Sequence, residues 1–89
     1  VKTEFTKSFA RDLRARRNSG NFLDSVKEII EEVESTDTLI AIRNLKKLKG
    51  ETDYYRIRFG NYRIGVRIQG NIVTFIRALH RKDIYRYFP

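Results

Sequence analysis

Arg56, Arg58, Arg63 and Arg67 alternate along two neighbouring stretches, Tyr54-Tyr55-Arg56-Ile57-Arg58-Phe59 and Tyr62-Arg63-Ile64-Gly65-Val66-Arg67-Ile68. A planar guanidinium matches phosphate oxygens in a bidentate fork and stays charged at any accessible pH. The Gly60-Asn61 pair between the stretches is a strong signal for a two-residue hairpin loop. With that loop, Phe59 pairs with Tyr62 and Arg58 with Arg63. Tyr54, Arg56, Arg58, Arg63 and Arg67 then share one face with Gly65, and Tyr55, Ile57, Phe59, Tyr62, Ile64, Val66 and Ile68 share the other. The first face is cationic and the second is a core face. Like charges directly opposite each other on a sheet cost up to ~1 kcal/mol relative to a neutral pair, and a polyanion is the natural compensation. His80 is the only side chain here that titrates near neutrality when unperturbed. It is a candidate acid or base if it faces the same groove, and a structural strand-end residue otherwise.

A chain of 89 residues makes one domain, 1–89, with a single modest core. There are no cysteines, which excludes a disulfide framework and a thiolate zinc site. One histidine without paired ligand spacing argues against a metal, and no cofactor is expected. The apolar runs are too short for a transmembrane helix. No basic-then-apolar leader opens the sequence, and Val1 in place of Met suggests a trimmed or alternatively started chain. The expectation is a soluble, cytoplasmic protein without membrane contact. The net charge of +8 is uneven: residues 1–37 hold seven Lys/Arg against eight Asp/Glu, a balance of −1, and residues 38–89 hold twelve against three, a balance of +9. An excess confined to the segment with the hairpins reads as a binding footprint, most commonly for nucleic acid.

The elements that must position the arginines follow from periodicity. Val1 to Phe5 alternates weakly and suggests a short first strand. Thr6 can cap a helix over about Lys7–Arg17, and Asn18-Ser19-Gly20-Asn21 is a turn. Phe22, Val26, Ile29, Ile30 and Val33 recur at helical spacing, with acidic residues on the outer face. The two helices form a hairpin that packs on the apolar side of the sheet. Leu39 to Ile42 is ambiguous between a helical turn and a strand, and Asn44 to Gly50 leads into the hairpins. Strands are predicted over about Tyr54–Phe59, Tyr62–Gln69 and Ile72–Leu79, the last two joined at Gly70-Asn71. Ile84 and Phe88 predict a short last helix. With a strict two-residue loop at Gly70-Asn71, Arg77 falls on the apolar face opposite Ile64. Either a third loop residue or a bulge flips the parity, or Arg77 emerges beyond the sheet edge.

Four segments in order, Leu48-Lys49-Gly50, Tyr55-Arg56-Ile57-Arg58, Asn61-Tyr62-Arg63-Ile64 and Leu79-His80-Arg81-Lys82-Asp83-Ile84-Tyr85-Arg86, resemble the signature of the RelE/ParE family of toxins from toxin–antitoxin modules. The resemblance spans essentially the whole chain. It implies an α+β fold: an N-terminal helical hairpin packed on a small curved, mainly antiparallel sheet, with a short C-terminal helix. It also implies a cognate antitoxin as partner and, for the RelE branch, cleavage of mRNA in the ribosomal A site. The basic positions of that branch fall on Arg56, Arg58, Arg63 and Arg81, and its base-stacking Tyr on Tyr85. Arg67, Arg77, Lys47, Lys49 and Lys82 are expected to extend the RNA-binding surface.

Cleavage of RNA without metal needs an activated 2′-hydroxyl, a stabilised phosphorane and a protonated leaving 5′-oxygen. Arginines serve the second need. Where the best-known RelE pattern has lysines, this chain has Arg56 and Arg58, which can clamp phosphate but are not plausible bases. The expected function is therefore a ribosome-dependent mRNA endonuclease toxin. The stretch Ile76 to Arg81 also resembles the ParE branch, so a DNA gyrase inhibitor is the alternative. A basic nucleic-acid-binding domain without activity is the third reading.

Overall fold

The computed structural model describes the backbone of residues 1–89 and every side chain except that of Ile40. The elements are β1 (Lys2–Phe5), α1 (Lys7–Ala15), α2 (Phe22–Ser35), a 3-10 turn (Leu39–Ala41), β2 (Leu45–Lys47), β3 (Tyr54–Phe59), β4 (Tyr62–Gln69), β5 (Ile72–His80) and α3 (Ile84–Tyr87). The sheet order is β1-β5-β4-β3-β2. β1 runs parallel to β5 and every other neighbouring pair is antiparallel. The α+β architecture expected from the sequence is present.

Both hairpin loops begin on a glycine in the left-handed region, Gly60 at φ 54 and Gly70 at φ 59, while Asn61 and Asn71 keep negative φ. A glycine at the first loop position is the type II′ arrangement, whose twist matches the flanking strands. The loop sets the register: Phe59 pairs with Tyr62, Arg58 with Arg63, Ile57 with Ile64 and Arg56 with Gly65. Alternation then delivers Ile57, Ile64 and Val66 to a core shared with Phe9, Phe22, Val26 and Val33 of the two helices. Thr6 joins the layers. Its hydroxyl accepts from the Phe9 amide at 3.0 Å as the α1 cap and donates to the Ile76 carbonyl at 2.9 Å.

β2 is a strand that alternation alone does not reveal. Leu45, Lys46 and Lys47 pair with Ile57, Arg56 and Tyr55 at the sheet edge. Three residues are too few for a period, and lysines are the usual protection of an edge strand. Asn44, at φ 64, precedes it. Its carbonyl accepts from the Arg58 amide at 3.2 Å and from Arg56 Nη1 at 3.1 Å.

The register of β4 against β5 shifts at Gly65/Val66: Gly65 faces Arg77, Val66 faces Phe75, and Ile76 is the extra residue. Of the alternatives open for Arg77, this is the bulge. β1 covers β5 only as far as Phe75, so the edge beyond it needs another partner. Asp12 of α1 supplies one. Its Oδ2 accepts from the Ala78 amide at 2.9 Å, and its carboxylate takes Arg77 Nε at 2.8 Å and Nη2 at 3.0 Å. The Asp12 side chain is 8% exposed and that of Arg77 24%. Hydrogen bonding to Asp12 raises the Arg77 pKa against the opposing effect of burial.

The arginine-bearing face is not cationic throughout. Leu79, Ile84 and Phe88 form a second small core with Leu48, Tyr54 and Ile76, so the C-terminal segment crosses this face. The Phe88 ring lies directly on Gly65, where an added Cβ would come within 2.7 Å of ring carbons. Any side chain at 65 must displace that ring.

Gly65→Ala is expected to destabilise the protein by about 1–3 kcal/mol, the usual range for overpacking. Because both changes act on one contact, Phe88→Ala should cost less in the Gly65→Ala background than alone. Urea titrations of the single and double variants measure the difference, and strict additivity would refute the contact. Asp12→Asn is expected to cost about 2–3 kcal/mol, below the range for a fully buried pair because Arg77 keeps some water. A raised guanidinium pKa contributes in full at every pH below its unfolded value. The Arg77 contribution should therefore persist from neutrality to about pH 10. A melt that weakened early in that alkaline range only in the wild type would contradict this.

Candidate nucleic-acid interface

Four guanidinium groups converge around the β3–β4 hairpin. Arg58 and Arg63 stand directly opposite each other, and Arg56 stands between Gly65 on one side and Lys46 on the other. The Arg81 amide donates to the Asn61 carbonyl at 2.7 Å, which ties the end of β5 to the hairpin tip. Arg63 is at the centre. Burial first, and then the charges of Arg56, Arg58 and Arg81, push its pKa below the ordinary guanidinium range, while Tyr85 acts in the opposite sense. Arg56, Arg58, Arg81 and Tyr85 are thus all within electrostatic reach of one half-buried cation.

Local bonds hold this crowd without neutralising it. Arg63 Nη1 donates to the Gly60 carbonyl at 3.1 Å and the Tyr62 carbonyl at 2.9 Å. Arg56 Nη1 is held by Asn44, and its Nε is buried without a partner. Among the described residues the ion pairs are Arg43–Glu32 and Arg77–Asp12, and neither touches the cluster. Asp53 instead accepts from Gln69 at 3.2 Å.

Tyr85 is 61% exposed between two buried anchors, Ile84 and Phe88. Its ring borders an open hollow of about 460 Å³ together with Lys46, Leu48, Lys49, Arg56 and Phe88. A helix of four residues cannot hold itself in water, so the second small core is what places the Tyr85 ring.

The other expected site residues divide. Lys49 borders the hollow, and Lys82 is exposed in the turn after β5. Lys47 pairs with Tyr55 and so leaves the edge strand toward the helical side, although it too borders the hollow. Arg67 pairs with Tyr54 and is separated from Arg63 by Gly65, over which Phe88 lies. Arg77 is committed to Asp12, and its guanidinium lies 5.7 Å from the Tyr87 ring centre. Arg77, expected to extend the RNA-binding surface, thus has its Nε and Nη2 already bonded to Asp12.

His80 also stands apart from the cluster. It pairs with Tyr62, on the helical side of the sheet, and meets that ring edge-on at 5.7 Å. Its Nδ1 accepts from the Lys82 amide at 3.1 Å. The alternation that sends Leu79 toward the arginine face sends His80 away from it, so it closes the turn and does not enter the groove. Lys46 is the residue that sequence reasoning missed. As the ladder partner of Arg56 it joins the cationic face, and the only signal for it was the register of β2. Among the described residues no group of three His, Cys, Asp or Glu could hold a metal ion, and no helix is long and apolar enough to cross a membrane.

Comparison with known proteins agrees with this architecture. Residues 3–85 match the family model described as the ParE toxin of the type II toxin–antitoxin system parDE. The chain is 44% identical to Toxin RelE3 of Methanocaldococcus jannaschii, over the full length of both. It superposes on a chain of the RelB–RelE antitoxin–toxin complex from Methanococcus jannaschii with a TM-score of 0.79 at 44% identity, covering 97% of this chain and 99% of that one. A chain of the RelBE2 toxin–antitoxin complex from Mycobacterium tuberculosis gives a TM-score of 0.69 at 29% identity, with 90% and 96% covered. The E. coli DinJ–YafQ complex, at 13% identity and a TM-score of 0.77 over 94% and 97%, shares the fold. A family match over nearly the whole chain, and a curated relative aligned end to end, place this protein in the RelE/ParE family of type II toxin–antitoxin toxins.

Proposed function

We propose that this toxin is a ribosome-dependent mRNA endonuclease, held inactive by a cognate antitoxin, in which guanidinium groups supply the charge that the reaction needs. One observation carries the reading: Arg63 is crowded by Arg56, Arg58 and Arg81, and among the described residues no carboxylate is paired to any of them. A stable fold gains nothing from such crowding. A phosphate relieves it, and a phosphorane with an additional negative charge relieves it further. The cluster therefore favours the transition state over the bound substrate, which is the condition for catalysis.

In this scheme the 2′-hydroxyl gives up its proton and attacks the neighbouring phosphorus, the bond to the 5′-oxygen breaks, and that oxygen takes up a proton, leaving a 2′,3′-cyclic phosphate and a 5′-hydroxyl. Arg58 and Arg63 hold the equatorial oxygens, and Arg56 binds the adjoining backbone. Arg81, beside the hairpin tip, faces the leaving oxygen. Tyr85 stacks on an unpaired base and keeps the attacking hydroxyl in line. None of the arginines accepts the hydroxyl proton. Tyr85, Lys46, Lys47, Lys49 and Glu51 are titratable groups that border the hollow. The names of similar proteins, a RelE toxin and RelB–RelE complexes, support both the branch and the antitoxin. The matching family model is named for ParE, which keeps a non-nucleolytic gyrase inhibitor as the second reading.

Arg81→Ala is expected to reduce cleavage of a translated message by about 10²–10³-fold, the usual cost of removing one preorganised donor. Antitoxin binding should be largely retained. Tyr85→Phe should keep most activity and Tyr85→Ala should lose it, because stacking needs only the ring face. Primer extension on ribosome-bound message reads all three variants. Equal damage from Phe and Ala would transfer the role of Tyr85 to its hydroxyl. To separate the branches, the chain is induced without antitoxin while translation and DNA supercoiling are followed. The RNA reading requires translation to fall first, and a primary change in supercoiling would establish the gyrase reading.

A further inference from the structure

We infer that the hollow beside Arg56 is a second nucleotide subsite, in which Lys46 holds the phosphate next to the one at the Arg58–Arg63 pair. This rests on the RNA-cleaving reading above and extends it to a residue outside the expected set. The ladder registers define a track. Residues two apart on a strand lie about 6.6 Å apart, and directly opposed residues have Cβ atoms about 4.5–5.5 Å apart. From Arg58, one such step along β3 reaches Arg56, and one across the ladder reaches Lys46 at the sheet edge. The cationic line therefore continues past the crowded centre and ends at the hollow.

The hollow has the second component of a single-strand site. Next to the Lys46–Arg56 rung it carries Leu48, Phe88 and Pro89, an apolar wall beside Tyr85 against which a second base can lie. Its volume of about 460 Å³ is open to solvent and suits one nucleotide. Phe88 is pinned on Gly65, so the wall is preformed. Glu51 also lines the hollow. Its carboxylate only accepts hydrogen bonds and repels phosphate, which keeps the RNA backbone at Lys46 and Arg56 and leaves Glu51 to meet a base N–H. Arg56 Nε, buried and unpartnered, adds to the positive potential on that side. An acidic peptide would meet the same lysine, but continuity with the Arg63 cluster favours a polyanion that runs through both.

The test uses single-stranded 2′-O-methyl RNA, whose blocked hydroxyl prevents cleavage, as dinucleotide and hexanucleotide. Binding is followed across a salt series. Lys46→Ala is expected to weaken hexanucleotide binding by up to about fivefold, as for an exposed ion pair. It should lower the slope of log affinity against log salt by about 0.7. The dinucleotide, which seats its phosphate at Arg58–Arg63, should bind unchanged, and Lys46→Arg should restore both quantities. In ribosome-dependent cleavage, Lys46→Ala should raise KM. If Lys46→Ala changes neither affinity nor slope while Arg63→Ala lowers both, the subsite is refuted and the RNA reading stands. If neither variant changes them, the RNA reading of this face fails too. Loss of antitoxin affinity in Lys46→Ala with RNA binding intact would overturn the subsite in favour of a protein contact.

Discussion

Arg58 and Arg63 are placed face to face by the Gly60-Asn61 loop, and the rest of the molecule is arranged around that repulsion. The loop sets a register that buries Ile57 and Ile64 on one side. The same register, one residue out of phase, stacks guanidinium groups on the other. A one-residue slip would relieve the arginines only by putting them in the core. Hydrophobic burial therefore enforces the electrostatic conflict. Local conflict of this kind in an otherwise consistent sequence is a mark of function, since natural sequences tend to remove it elsewhere.

Two devices keep the conflict in place. On the helical side, Thr6 and Asp12 fasten α1 to β5 at the point where β1 ends. On the arginine side, Phe88 on Gly65 closes a small core separate from the main one. The second core buries little, but it determines where Tyr85 stands. Bound in this way, α3 needs no helical stability of its own and can present an exposed ring beside the cations.

Much of this was legible in the sequence because strands have a period of two and the Gly-Asn loops fix phase. Both faces of β3 and β4, the Arg58–Arg63 pairing and the Thr6 cap could be read directly. What escaped were features without a period. β2 is too short to alternate, so Lys46 had no assigned face until Arg56 gave it one. The bulge at Ile76 appeared only as a parity conflict at Arg77, and nothing local said that Asp12, 65 residues earlier, would resolve it. His80 is the single histidine of the chain, yet its face follows from Leu79 and the bulge, not from its chemistry. That the C-terminal segment would cross the cationic face depends on Gly65, whose missing side chain is easily read as mere flexibility.

Arg77 and Arg63 show why charge alone does not locate a site. Both start from the same face of adjacent strands, and Arg77 faces Gly65, two residues beyond Arg63. Arg77 receives a buried carboxylate in a bidentate geometry, and its protonated form is stabilised. Arg63 receives carbonyl oxygens and three cations, and its protonated form is destabilised. The fold thus has the means to neutralise a partly buried arginine and uses it where the arginine supports the edge of β5. Among the described residues no such carboxylate is paired with Arg63, and the proposed function assigns that counter-charge to a ligand. On the proposed function, a polyanion would complete an electrostatic arrangement that the chain leaves open, and its most negative state, the phosphorane, would complete it best.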